Sequence, residues 1–278
     1  MDSGITENLP SVDQSFYEKL VQIYEKLDIK VSLTKNLEQA ELDEYAKKGA
    51  IAISYCPPAI ETAAFKQCFT DVLTLFAEFQ PAEDKTLKEL VQITAYSSKE
   101  LTDKLSGLFS GKHLEELFHL YQYPMPSLAG LVLAYTIKPF LQSFSLEIMK
   151  DYPLHHWEKG YCPVCGNGAS LARLSKNENG KRYLMCSVCE TRWAFARIAC
   201  PFCLEKNPDN LGYFRLEEDQ GYKVNFCRSC KSYIKTFDES GRVLSTKSIF
   251  LEDKETAYLD HLAQREGFKN LHILEKFY

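Results

Sequence analysis

The chain has 278 residues, 45% hydrophobic and 26% charged, with a formal net charge of −5. That balance excludes a disordered chain and speaks against a basic nucleic-acid binder, and the length suits one large domain or several small ones. Residues 1–14 show neither a basic n-region nor an apolar h-region, so no secretory signal is expected and the chain is read as cytoplasmic, a setting where ten cysteines are seldom disulfides.

The first half predicts helices. In "SFYEKLVQIYEKL", Phe16, Leu20, Ile23, Tyr24 and Leu27 share one face at helical spacing. Residues 61–81 repeat the pattern through Phe65, Cys68, Phe69, Val72, Leu75, Phe76 and Phe79 until Pro81 blocks continuation. Cys68 on that stripe and Cys56 in "YCPP" have no cysteine at metal-ligand spacing and read as core fillers. Ser97 and Glu100 have capping-box spacing ahead of Leu101, Leu105 and Leu108. A short helix is expected at 113–122. The apolar stretch 127–149 is interrupted by Lys138, Pro139 and Glu147, so it predicts a buried helix, kinked or ended near Pro139, and not a membrane span. Residues 1–151 thus form a bundle of about six helices. They hold no Gly-rich phosphate loop, His-Glu-x-x-His or Gly-x-Ser-x-Gly. No catalytic residue is nominated, and no enzyme is expected.

From Tyr152 the pattern shifts to short alternating runs, "KRYLMC", "RWAFARI", "YKVNFC" and "SYIKTF". Turn signals separate them, among them Asn179-Gly180, read as a two-residue hairpin turn. Four Cys-x-x-Cys pairs lie among these runs: Cys162/Cys165, Cys186/Cys189, Cys200/Cys203 and Cys227/Cys230. Twenty residues separate the first two pairs, 23 the last two, and 10 join the halves. Two intervening residues let a tight turn aim both sulfurs at one ion, and a hairpin brings a second pair opposite to complete a four-sulfur tetrahedron. The halves, "CPVCG…GKRYLMCSVCETRW" and "CPFCL…GYKVNFCRSCKSY", read as an internal repeat, with Trp193 and Tyr233 as packing aromatics. Segments this short cannot build a sufficient core, and a structural zinc supplies about 10–16 kcal/mol to small modules. A disulfide reductase would place such a pair at a helix N-terminus in a βαβ setting, whereas these pairs are flanked by strands and turns. Zinc and mononuclear iron both suit four sulfurs. Pairing stays open between consecutive modules, favoured by the repeat and the short joint, and a cross-brace of pairs one with three and two with four.

Residues 158–247 carry 15 Lys/Arg against 10 Asp/Glu. Four thiolates around a divalent ion leave a charge of −2, so two filled sites bring this segment to about +1, and no nucleic-acid partner is expected. Arg192, Arg197, Arg228, Lys231 and Lys235 read as solvated, and His155 and His156 as polar residues between domains.

The four knuckles in order, "RYLMCSVCETRW", "SYIK" and the late segment "YLDHLAQREGF" give residues 130–268 a resemblance to the FdhE family, the formate dehydrogenase accessory proteins. The resemblance implies an α+β multidomain chain: an all-α helical bundle (1–151), two small rubredoxin-like or zinc-ribbon β modules (152–198 and 199–248) and a C-terminal helical tail (249–278). It implies metal ligation by Cys162, Cys165, Cys186, Cys189, Cys200, Cys203, Cys227 and Cys230, in two mononuclear four-cysteine metal centres with iron favoured and zinc as the alternative. It further implies a non-enzymatic cytoplasmic maturation factor. Its partner would be the molybdenum- or tungsten-containing catalytic subunit of formate dehydrogenase, which needs it for assembly or activity. A zinc-ribbon nucleic-acid-binding protein and a rubredoxin-like electron carrier are the alternatives.

Overall fold

The computed structural model describes residues 14–81, 84–109, 128–216, 221–241 and 248–269. Seven helices are described in the first half: α1 (Gln14–Lys26), α2 (Gln39–Lys48), α3 (Ala52–Tyr55), α4 (Thr62–Phe79), α5 (Asp84–Leu90), α6 (Ser98–Phe109) and α7 (Leu128–Ile148). Two short strands among them, β1 (Val31–Leu33) and β2 (Pro58–Ile60), pair antiparallel. Strands β3 (Leu171–Ser175), β4 (Lys181–Met185), β5 (Arg192–Phe195), β6 (Leu211–Phe214), β7 (Tyr222–Cys227) and β8 (Tyr233–Asp238) follow, then helices α8 (Ile249–Glu255) and α9 (Ala257–Arg265). The class is α+β, as expected. The helix expected at 113–122 and the chain beyond 269 lie outside the described residues.

Helix α4 packs against α1 and α7 and buries the predicted stripe, Phe65, Cys68, Phe69, Val72, Leu75 and Phe76. Phe16 of α1 meets Phe76 and Phe79 edge-on, with ring centroids 5.0 and 5.5 Å apart. Each such buried side chain contributes about 1.5–3 kcal/mol. The capping box of α6 forms, with Ser97 N–H donating to the Glu100 carboxylate and Glu100 N–H donating back to Ser97 Oγ.

Helix α7 does not end at Pro139 but runs on to Ile148. Proline offers no N–H to the carbonyl one turn back, that of Tyr135. The Tyr24 hydroxyl of α1 donates to that oxygen instead, at 2.6 Å. Tertiary packing thus satisfies the acceptor that would otherwise break the helix. No described helix is long and apolar enough to cross a membrane.

The six later strands form one sheet in the order β5-β4-β3-β8-β7-β6. Each cysteine-rich half contributes an antiparallel three-stranded ribbon. The ribbons join through parallel pairing of β3 with β8, from Leu171 opposite Lys235 to Leu174 opposite Asp238. These central strands are covered on both faces, so β3 is buried at every position and shows no alternation. The β3–β4 turn also departs from expectation. Ser175 pairs with Lys181, so the loop spans 176–180; a 3-10 turn over Lys176–Glu178 precedes Asn179 and Gly180, both left-handed.

Helices α8 and α9 strap the joint. Glu252 accepts from Arg173 of β3 and, at 2.9 Å, from the Tyr222 hydroxyl of β7. Lys235, expected to be solvated, is instead 1% exposed and held between Asp253 and Asp260 at 2.8 and 2.7 Å. Its place on the central strand, under the helix pair, puts it out of reach of water.

Candidate metal centres

All four Cys-x-x-Cys pairs fold into one kind of knuckle. The first cysteine's N–H donates to the carbonyl five residues on: Cys162 to Asn167 at 2.7 Å, Cys186 to Thr191 at 3.0 Å, and Cys200 to Glu205 and Cys227 to Ser232, both at 2.9 Å. The residue after each second cysteine is left-handed: Gly166 (φ 78°), Glu190 (60°), Leu204 (63°) and Lys231 (59°). Only Gly166 does so without steric penalty; the others each cost about 1–2 kcal/mol, held in place by the turn's hydrogen bonds.

The turns bring the sulfurs together as two consecutive sets, Cys162, Cys165, Cys186 and Cys189, then Cys200, Cys203, Cys227 and Cys230, all within 4.8 Å inside each set. The cross-brace does not form. Nearest sulfurs stand 3.4 Å (Cys162–Cys189), 3.6 Å (Cys165–Cys186 and Cys200–Cys230) and 3.7 Å (Cys203–Cys227) apart. A tetrahedron with metal–sulfur bonds of about 2.3 Å has edges of about 3.8 Å, so both sets fit a thiophilic ion. The thiols respond to this crowding. Hydrogen bonding to Cys162, Cys186 and Cys189, then burial, pushes Cys165 well above the ordinary thiol value. Burial also works to raise Cys189, but hydrogen bonds from its three neighbours and Thr191 outweigh it and hold this sulfur well below. A bound cation removes the conflict, because it stabilises all four as thiolates.

The helical half grips the first set from two sides. Ala52 and Ile53 N–H groups, at the start of α3, donate to Pro163 and Val164 carbonyls of its first knuckle at 2.8 and 3.0 Å. Lys138, from inside α7, donates to Ser187 and Val188 carbonyls of the second knuckle and pairs with Glu190 at 3.4 Å. Ser145 of α7 lies 2.7 Å from the Thr191 hydroxyl, which in turn lies 3.0 Å from Cys189 Sγ. The second set has its own supports. Ser232, the repeat partner of Thr191, lies 2.8 Å from Cys230 Sγ. Glu205 accepts from its own turn, Asn210 and Ser229, tying the two knuckles together, and these bonds hold its carboxyl down at about 2. Arg182 of β4 donates to the Ala199 carbonyl at 2.7 Å. The sequence reading missed Lys138, Arg182, Thr191 and Ser232. For the hydroxyl pair a signal existed, since "CETR" and "CKSY" place Thr and Ser at the same repeat position.

Cys56 and Cys68 are fully buried in the helical core, away from both sets, and burial pushes Cys68 up to about 12. His155 and His156 contact one another in a turn between α2 and β5, with ring centroids 3.9 Å apart. Trp193 and Tyr233 are buried, donating to the Lys159 carbonyl and the Asp260 carboxylate. Arg192 stacks on Tyr183 at 3.7 Å, and Arg228 is exposed.

Residues 161–197 match the family model described as "FdhE, central domain". A protein FdhE homolog of Aquifex aeolicus is 26% identical over 269 residues, which cover 95% of this chain and 88% of that one. The FdhE protein of Escherichia coli K12 is 25% identical over 202 residues, 71% of this chain and 61% of its own length. The crystal structure of the FdhE protein from Pseudomonas aeruginosa aligns with a TM-score of 0.58 at 19% identity, covering 93% of this chain and 85% of that one, a likeness of fold. The resemblance to the FdhE family that the knuckles carry is therefore shown, and it extends through the helical half.

Proposed function

We propose that this FdhE-like chain is a non-enzymatic accessory protein for formate dehydrogenase, acting on that enzyme's molybdenum- or tungsten-containing catalytic subunit in the cytoplasm. The carrying observation is the likeness to an FdhE homolog over 95% of the chain together with the two four-sulfur sets. In this reading Cys162, Cys165, Cys186 and Cys189 hold one ion, and Cys200, Cys203, Cys227 and Cys230 hold a second. Each ion would cross-link two knuckles and so fix its ribbon. Iron is the metal we favour, on the resemblance; zinc fits the same sulfurs. Client binding is supported by exposed apolar side chains on the second ribbon and its approach, Ile198, Leu204, Tyr213 and Leu216.

The experiment is deletion of the gene in its own cell, with formate dehydrogenase activity and catalytic-subunit abundance as readouts, paired with anaerobic affinity purification of the tagged chain. Activity should fall and the catalytic subunit should co-purify. Unchanged activity with no subunit recovered would overturn the proposal. Metal analysis of the same preparation decides between iron and zinc.

A further inference from the structure

The two sulfur sets are alike in spacing but not in setting. The first is sealed: Cys162, Cys165, Cys186 and Cys189 are all at most 3% exposed. They belong to a single core that also contains Phe140 and Phe144 of α7, Phe65 of α4 and Phe16 of α1. In the second, Cys203 is exposed and Cys230 half-buried. The ribbon beneath it packs a smaller cluster of Val224, Tyr233, Leu259 and Ala263, with Ile234 of β8 joining the main core. The anchors differ as well. Both knuckles of the first set are bonded to the helical half, through Ala52, Ile53 and Lys138. The fourth knuckle is held by Arg228 N–H to the Asn210 carbonyl at 2.8 Å and Ser229 to Glu205 within its own ribbon, and by Lys269 N–H, beyond α9, to the Lys231 carbonyl at 2.7 Å.

We infer that the centres are kinetically unequal: the first keeps its metal for as long as the helical half stays folded, and the second exchanges metal through the Cys203–Cys230 side. This rests on the metal-ligand reading given under Proposed function. Ligand exchange at a four-thiolate ion starts with an entering donor bonding to the metal while one sulfur leaves with its electron pair and takes a proton from water; no electron is transferred. An entering donor reaches the second centre directly beside Cys203. At the first it must wait for a local opening that breaks the bonds to α3 and α7 and uncovers the main core, and such openings approach the cost of global unfolding. The chain would therefore carry one fixed centre and one able to give up, take or swap its ion, or to have a thiolate reached by a partner's metal.

The test uses the full-length chain loaded with zinc at both sites, challenged with the chelating dye 4-(2-pyridylazo)resorcinol and N-ethylmaleimide, with alkylated cysteines mapped by mass spectrometry over time. One zinc should leave about 10- to 100-fold faster than the other, the range by which loss of supporting contacts weakens metal sites. Cys200, Cys203, Cys227 and Cys230 should be alkylated in that phase while the far-UV circular dichroism keeps its helical signal. Release of both ions at one rate, or first alkylation at Cys162 to Cys189, would overturn the inference and leave the metal reading intact. A chain that takes up no zinc would overturn both. The Cys203→Ser variant adds a second readout: it should stay folded with one tightly held zinc, and loss of both ions would count against the inequality.

Discussion

At the scale of single residues, the determinants of the two centres lie one layer behind the sulfurs. Thr191 and Ser232 occupy the same repeat position and each sets a hydroxyl within 3.0 Å of a cysteine sulfur. A hydrogen bond to a charged group contributes about 1.5–3 kcal/mol, and outer partners of metal ligands change affinity about 10- to 100-fold. Thr191→Val should therefore weaken the first centre by that factor in a chelator competition, with the fold retained; an unchanged affinity would show that the hydroxyl does not tune the sulfur. Lys138 has a larger role. Burial lowers its pKa, opposed by Glu190 and then by Cys186 and Cys189. Its ammonium satisfies two knuckle carbonyls and lies 4.6 Å from the Phe250 ring centroid of α8. Lys138→Met keeps the bulk but strands those carbonyls and Glu190, a loss of about 3 kcal/mol by analogy with broken buried pairs. Urea denaturation of the metal-loaded protein checks it, and a loss within error would reduce Lys138 to a space-filler.

At the scale of elements, local chemistry was legible where it decides structure by itself and illegible where tertiary contacts do. The apolar stripe of α4, the capping box at Ser97 and the four knuckles are short-range features, and they stand as their residues dictate. Pro139 was a fair warning of a helix end, yet the remedy, the Tyr24 hydroxyl, comes from a helix more than a hundred residues earlier. Strand β3 escaped notice because a strand covered on both faces has no period of two. Lys235 misled because its two carboxylates arrive from α8 and α9, beyond the last knuckle. Gly160 is set apart by a contact that no sequence pattern marks. A Cβ there would stand 1.7 Å from the Pro201 carbonyl oxygen, where the entrance to the first ribbon touches the third knuckle. Gly160→Ala must push two backbones apart, a change of the overpacking kind that costs about 1–3 kcal/mol or more. Thermal unfolding should show the loss, and an unshifted midpoint would mean that the joint between ribbons yields freely.

At the scale of the whole molecule, the sequence divides the cysteine-rich region into consecutive modules, while hydrogen bonding makes one sheet of them. The joint is head-to-tail: the first strand of the first ribbon, β3, lies parallel to the last strand of the second, β8. The outer edges, β5 and β6, are a last and a first strand in the same sense, so the pairing that closes the joint could recur between copies. Each edge strand has only four residues, and short edges are one way proteins limit such growth. A chain cut after Ile198 would keep the complete first sulfur set and all of the helical half, so its metal site alone gives no reason for failure. It would, however, lose β8 from the side of β3. It would also lose Glu239 and Glu252, the partners of Arg173, whose side chain is 9% exposed. An unpaired hydrogen-bonding edge beside an uncompensated buried cation favours self-association over a stable monomer. The truncated, metal-loaded chain should accordingly elute as an aggregate in size-exclusion chromatography with light scattering. Restoring 199–269 should return the species found for the full chain, and a monodisperse, cooperatively melting 1–198 fragment would show that the first ribbon is an independent domain.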